Sequence, residues 1–305
     1  MHFYLTRKLF TFFSNFIFRM STSGSVEKLS PSDFLELSRK CGSNLVVHLF
    51  GATIVSWESK GKDVLFLSEK AVFNNKKAIR GGIPLVFPCF GPWNQGPQHG
   101  FARIKRWQVE SPPKEDENGN IVCSLSLKDD EETRQMWNYQ FKLLYTIKLG
   151  DSSLSLKLTV FNTGEEDFEF TTLMHTYFRT PDISKASISG LEHLTYIDKV
   201  ADGKELVEKR EFVQISENYD RIYKDCPSDI IVKGVTDKHC DVLIKTHNLP
   251  DTVVWNPWAE KAKEMADFGD KEYKIMLCVE AGYVSKPVTI GTGTKIDFKQ
   301  ILSML

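Results

Sequence analysis

Between Phe141 and Val160 the chain alternates apolar and polar residues with a period of two, and that rhythm demands strands with one buried face. Phe141, Leu143, Tyr145, Ile147 and Leu149 stand against Lys142, Thr146 and Lys148, with Leu144 the exception. After Gly150-Asp151-Ser152 the alternation resumes, with Leu154, Leu156, Leu158 and Val160 against Ser153, Ser155, Lys157 and Thr159. Successive side chains of a strand point to opposite faces, so the two runs read as a β-hairpin turned through Gly-Asp. Asn162-Thr163-Gly164 then turns the chain into a further strand from Phe168 to Phe178. Other expected strands are Leu45–Leu49, Thr53–Trp57, Val64–Leu67, Ile121–Leu127, Val242–Thr246, Thr252–Trp255 and Ile275–Val279. Pro112 to Gly119 is expected to be a polar loop. Helical signals are few: one short helix over Glu131 to Asn138 and a turn over Lys261 to Met265. Many strands joined by Gly/Pro-rich connections, with no βαβ alternation and no glycine-rich phosphate loop, predict an all-β antiparallel sandwich with few short helices.

At 305 residues the chain is long enough to bury a core without disulfide or metal staples. Residues 26–305 are expected to form one domain. Residues 1–25 carry Arg7, Lys8 and Arg19, no acidic residue, and six of the 21 phenylalanines. The apolar stretch from Leu9 to Phe18 is too short to cross a bilayer. This extension reads either as a targeting segment or as a piece without structural role, since Met20 also serves as a start. A net charge of −1 gives no electrostatic footprint for nucleic acid or an anionic membrane, which favours a small-molecule partner. The six cysteines show no C-x-x-C pair and no metal-like spacing with histidine, and no N-glycosylation acceptor occurs. A cytoplasmic, reducing setting is therefore expected, with a targeting role for the N-terminal segment as the alternative.

Three segments place polar residues where a plain strand would not want them. Ala78-Ile79-Arg80-Gly81-Gly82-Ile83-Pro84 and the following Gln98-His99-Gly100-Phe101-Ala102-Arg103 are dense in glycine and proline, which fixes an irregular backbone. Arg80, Gln98 and Arg103 together can hold a phosphate through guanidinium forks and an amide. The alternative is that each arginine pairs with a surface carboxylate. In Thr171-Thr172-Leu173-Met174-His175-Thr176-Tyr177, His175 shares a face with Thr171, Leu173 and Tyr177 by parity. A lone strand histidine is either a catalyst or a hydrogen-bonded core residue. In Leu277-Cys278-Val279-Glu280-Ala281-Gly282-Tyr283, Glu280 ends an apolar run. A carboxylate there needs a partner or its pKa rises, so it is a base or half of a salt bridge.

Five strings occur in order: Arg80-Gly81-Gly82-Ile83-Pro84, Gln98-His99-Gly100, His175-Thr176-Tyr177-Phe178, Val254-Trp255-Asn256-Pro257-Trp258 and Val279-Glu280-Ala281-Gly282-Tyr283. Over about residues 34 to 300 they resemble the hexose-6-phosphate mutarotase branch of the aldose 1-epimerase family. The resemblance implies an antiparallel β-supersandwich with a sugar cleft on one face. It implies an isomerase that exchanges the anomers of a hexose 6-phosphate, glucose 6-phosphate first among them, with His175 as general acid and Glu280 as general base. Arg80, Gln98, Arg103 and Asp220 fall at substrate-binding positions, with Asp198 competing with Asp220 and His99 a further sugar contact. No metal and no cofactor are implied; the partner is a phosphosugar, without nucleic acid or membrane, and the chain is expected to act as a monomer. Ala281 departs from the family's usual proline, which leaves the carboxylate in place. Two other readings use the same residues: an aldose 1-epimerase for unphosphorylated sugar, and a non-catalytic carbohydrate-binding sandwich with Trp93, Trp255 and Trp258 as platforms. Glycoside hydrolysis usually wants two carboxylates flanking a bond, and only Glu280 lies in a suitable motif.

Overall fold

The computed structural model describes residues 30–236 and 240–305; the extension expected over residues 1–25 lies outside them. Phe141–Leu149 and Ser153–Asn162 form the antiparallel hairpin that the alternation demands, with Leu149 opposite Leu154 and Phe141 opposite Asn162. All in-phase apolar residues of both runs are buried. This hairpin lies inside a nine-stranded sheet, which faces an eight-stranded one, and a four-stranded sheet completes the fold. Helix among the described residues is confined to Glu131–Met136, Trp258–Glu264 and four single 3-10 turns. The first helix starts where Asp130 caps it: its carboxylate accepts from the Thr133 N–H at 2.7 Å, and Thr133 returns the bond to Asp130.

The two large sheets meet through their inner faces. Phe170 packs edge-on against Phe298 across the interface, with ring centroids 5.7 Å apart. Gln300 of the nine-stranded sheet donates to Thr176 Oγ1 of the other at 3.1 Å. In the central strands of the eight-stranded sheet, up to the register shift after Tyr283, parity then divides the residues between two faces. Leu277, Val279 and Ala281 of Met276–Ile290, Val254 of Asp251–Asn256, and Tyr219 and Tyr223 of Tyr219–Tyr223 point into the main core. Cys278 packs in an apolar cluster on the opposite face, as do Val253 and Ile222 in a second one. The face that does not make the sandwich is thus left to be covered by loops.

Four expectations change. The strand expected from Phe168 to Phe178 breaks into Phe168–Met174 and Tyr177–Arg179, because the His175 N–H leaves the ladder to donate to the Pro84 carbonyl at 2.9 Å. Val64 to Leu67 is not a strand but a stretch with two isolated bridges, Leu65 to Phe178 and Leu67 to Gly81. Of the loop expected over Pro112 to Gly119, the first half belongs to a strand, Gln108–Glu115, at the outer edge of the nine-stranded sheet, and Asp116 to Gly119 form the loop. An edge strand tolerates proline because one side needs no N–H donor, and the register slips between Ser111 and Lys114 where the prolines sit. The strand begun at Met276 does not end at Val279 but runs fifteen residues to Ile290.

The loop carrying Arg80 is pinned by Gly81, with φ +121 and a missing Cβ 2.6 Å from the Phe66 carbonyl oxygen, and by Gly82. Gly82 has φ +66, and a Cβ on it would lie 1.9 Å from the Ile54 carbonyl oxygen, which accepts from the Ile83 N–H at 2.9 Å. Gly203 has φ +79 but open space around its missing Cβ. Gly203→Ala should therefore cost only the left-handed backbone penalty of about 1–2 kcal/mol, whereas Gly82→Ala should cost more than about 3 kcal/mol in denaturant unfolding. Equal costs at the two positions would show that the close approach at Gly82 is not needed.

Candidate active site

Strand register puts His175 and Glu280 face to face. Met174 pairs with Ala281 and Tyr177 with Cys278, so the unbroken count between them sets His175 opposite Glu280. The same register extends sideways: Glu280 pairs with Val253, which pairs with Ile222, while Cys278 pairs with Trp255, which pairs with Asp220. Two rows therefore cross the outer face of the sheet, Ile222–Val253–Glu280–His175 and Asp220–Trp255–Cys278–Tyr177. Val253, Glu280 and His175 of the first row and Asp220 and Trp255 of the second line a cleft of about 360 Å³. Arg80, Gln98, Arg103, His175, Asp220 and Glu280, all six singled out in the sequence, line it, together with His99.

Asp198 goes elsewhere. It shares parity with Tyr196 of the core, accepts from Arg221 Nε at 2.8 Å and takes the N–H groups of Val200 and Ala201. Its neighbour in register, Arg221, likewise lies on the core side of Asp220. Of the three tryptophans considered as sugar platforms, Trp255 reaches the cleft, while Trp93 and Trp258 pack against the main core.

His175 Nδ1 stands 3.3 Å from Glu280 Oε1, with the carboxyl side chain 1% exposed and the imidazole 10%. Neither His175 Nδ1 nor Glu280 Oε2 has a hydrogen-bond partner in the protein. Burial, reinforced by Asp220, pushes the Glu280 pKa well above 4.5, although Lys199 and Arg103 oppose the shift. Burial, reinforced by His99, Arg103 and Arg80, pulls the His175 pKa well below 6.5. Both shifts have one cause: low dielectric disfavours the charged form of either group. Both shifts favour the uncharged pair, carboxylic acid beside neutral imidazole. A group that can hold or release one proton at two neighbouring atoms suits concerted acid–base chemistry.

The covering loops supply cations. The ring of His99 is fixed by Gly91, whose N–H donates to Nδ1 at 3.1 Å, so the ring proton sits on Nε2. Burial and the cations Arg103, Lys199 and Arg80 hold His99 down at about 3, a neutral donor at working pH. Arg103 donates to the Gln98 carbonyl at 2.9 Å and has no carboxylate within ion-pair distance among the described residues. Arg80 differs: its Nε and Nη2 donate to Asp267 at 3.2 and 3.3 Å, so the carboxylate partner left open in the sequence exists for one arginine. Lys199, 3.4 Å from Asp220, and Lys261 also line the cleft. Neither lysine carries a local signal: one follows an ordinary strand, and the other sits on the helix Trp258–Glu264 behind the Trp-Asn-Pro-Trp string.

One trio of metal-ligating side chains occurs here among the described residues: donor atoms of His175, Cys278 and Glu280 lie within 4.8 Å of one another. Cys278 lies behind the pair, packed with Phe66, Tyr177 and Phe268, and burial holds its thiol protonated. All six cysteines are free.

The aldose 1-epimerase family matches residues 33–303. A relative from Cenchrus ciliaris, described as "Putative glucose-6-phosphate 1-epimerase", is 38% identical over 90% of this chain and 83% of its own length. A relative of the same description from Escherichia coli K12 is 37% identical over 78% of this chain and 79% of its own. Among solved structures, a "putative mutarotase" from Salmonella typhimurium superposes with a TM-score of 0.82 at 28% identity, covering 95% of this chain and 99% of that one. Galactose 1-epimerase from Lactobacillus acidophilus shares the fold, with a TM-score of 0.69 at 16% identity over 92% of this chain and 97% of that one. With the match running through nearly every described residue, the chain belongs to the aldose 1-epimerase family.

Proposed function

We propose that the protein interconverts the α and β anomers of a hexose 6-phosphate, with glucose 6-phosphate the first substrate to try. The observation that carries this reading is the buried His175–Glu280 pair in one cleft with Arg103, a guanidinium that no carboxylate among the described residues claims. The names borne by the two relatives point to the same substrate.

The chemistry follows from the pair's single proton. The anomeric hydroxyl and the ring oxygen are bonded to the same carbon, so the groups serving them must be close neighbours, as 3.3 Å allows. Glu280 as carboxylate takes the proton from the C1 hydroxyl while His175 as imidazolium gives one to O5. The C1–O5 bond breaks with its electrons going to O5, and C1 becomes an aldehyde. The pair is now carboxylic acid and neutral imidazole, the uncharged form that burial favours. Desolvation thus favours the ring-opened state, in which both groups are neutral. Rotation about C1–C2 presents the other carbonyl face, and the two transfers run backwards. Asp220 and the Nε2–H of His99 are placed to hold sugar hydroxyls, and Trp255 offers an aromatic face.

Arg103, with Arg80 and Gln98 beside it, is the anion-binding side of the cleft in this reading. Charge-assisted hydrogen bonds are worth about 1.5–3 kcal/mol each, which corresponds to roughly 10- to 150-fold in affinity. An unphosphorylated hexose as substrate is the second reading, favoured by one observation: Arg80 already has a carboxylate partner.

Arg103→Ala should raise KM for glucose 6-phosphate by roughly 10- to 150-fold and change kcat/KM for free glucose less than about threefold. Equal losses on both substrates would move the protein to the second reading. Glu280→Gln and His175→Asn should each lower kcat for anomer exchange by about 10²–10⁴ while circular dichroism stays that of wild type; a Glu280→Gln enzyme with unchanged kcat would remove Glu280 from the reaction. Stability gives an independent check. Because the folded-state pKa of Glu280 is raised from 4.5, ionising it opposes folding at every pH above 4.5, and more so until the folded-state pKa is passed. Glu280→Gln should therefore raise Tm by roughly 2 °C or more at alkaline pH, a gain that vanishes on acidification below the ordinary carboxyl pKa. A lower Tm in alkali would contradict the burial cost.

A further inference from the structure

Arg80 reaches the cleft with most of its donors already committed. A guanidinium has five N–H groups. Nε and one Nη2 hydrogen go to the two oxygens of Asp267 at 3.2 and 3.3 Å, and one Nη1 hydrogen goes to Tyr177 Oη at 3.3 Å. One N–H on each terminal nitrogen remains, a two-pronged fork on a side chain that lines the cleft. Such a fork matches two oxygens of a phosphate.

Asp267 is itself held in place. It lies inside the turn closed by the Phe268 N–H on the Met265 carbonyl, and the next turn is organised by Glu272, whose carboxylate accepts from the Gly269 N–H at 2.6 Å, the Glu69 N–H at 2.8 Å and Ser68 Oγ at 2.6 Å. The next residue, Phe268, is fully buried against Phe66. On the other side, Tyr177 is anchored in the sheet opposite Cys278 and stacks on His175, with centroids 4.6 Å apart and planes 10° from parallel. Two fixed points therefore grip the guanidinium, one on the covering loops and one on the sheet that carries the acid–base pair.

We infer that Asp267 is a specificity-determining positioning residue: by gripping Arg80 from the side, it turns the remaining fork toward the substrate's phosphate. Asp267 is absent from the cleft wall and meets the substrate only through Arg80. An ordinary ion pair would serve stability alone. A positioning role also serves discrimination, because an unrestrained arginine loses side-chain freedom each time it binds, whereas a gripped one has lost it already. The inference rests on the phosphate reading of the cleft, and its test separates the two.

The quantity to measure is the ratio of kcat/KM for glucose 6-phosphate to that for glucose, which is independent of how much of a variant folds. Asp267→Asn, which keeps the shape but loses one acceptor oxygen and the charge, should lower this ratio about tenfold through KM for the phosphosugar. Asp267→Glu should recover part of it. In an Arg80→Ala background, Asp267→Asn should lower the ratio less than twofold further, because the side chain it positions is gone. A ratio unchanged in Asp267→Asn, while Arg103→Ala does lower it, would overturn the role of Asp267 and leave the phosphate reading standing. A full tenfold drop in the Arg80→Ala background would also overturn it, since Asp267 would then act without Arg80. If Arg103→Ala leaves the ratio unchanged, the phosphate reading fails, and this inference with it.

Discussion

A carboxyl and an imidazole held 3.3 Å apart and out of water are the constraint around which the rest of this protein is arranged. Two such groups cannot both be charged cheaply in low dielectric, yet with one proton between them they need no outside counter-charge. The sheet makes the arrangement possible. Strand register brings His175 opposite Glu280, and parity turns both away from the sandwich core, whose residues on the same strands are Met174, Val279 and Ala281. The apolar residues that build the domain and the polar ones that face the cleft are thus interleaved along one backbone. A one-residue slip would exchange them.

Regular strands cannot supply cations to the mouth of such a cleft, and here irregular loops do. The close backbone approaches at Gly82, and at Gly100 with its φ of +70 and a missing Cβ 2.2 Å from the Phe87 carbonyl oxygen, seat the two loops against the sheet. Arg80, His99 and Arg103 thereby reach over the same face as Glu280. Burial, helped by the two guanidinium charges, pulls the pKa values of His99 and His175 down, and Arg103, with Lys199, partly offsets the burial of Glu280.

The strand hairpins were legible because one buried face writes itself into the sequence as alternation, as at Phe141 to Val160. The six residues that line the cleft were singled out by a different route, through ordered strings shared with a family, since a lone histidine or glutamate carries no period. What alternation could not reveal was the break at His175, caused by a hydrogen bond to Pro84 some ninety positions away in the chain. Nor could it show that Pro112 and Pro113 lie in an edge strand, which depends on which side of the strand lacks a partner. Lys199, Lys261 and Asp267 also escaped notice, because each earns its place only through a side chain on another segment. Asp198 and Asp220 looked interchangeable in the sequence; parity against Tyr196 and Tyr219 separates them.

The most direct test is exchange NMR on the anomeric protons of glucose 6-phosphate with increasing amounts of the full chain. Cross-peaks between the α and β signals should grow in proportion to protein concentration, with no metal or nucleotide added. Cross-peaks no stronger than those of the spontaneous reaction, in a sample where line broadening shows that the sugar phosphate is bound, would contradict the account and leave a sugar-binding protein without anomerase activity.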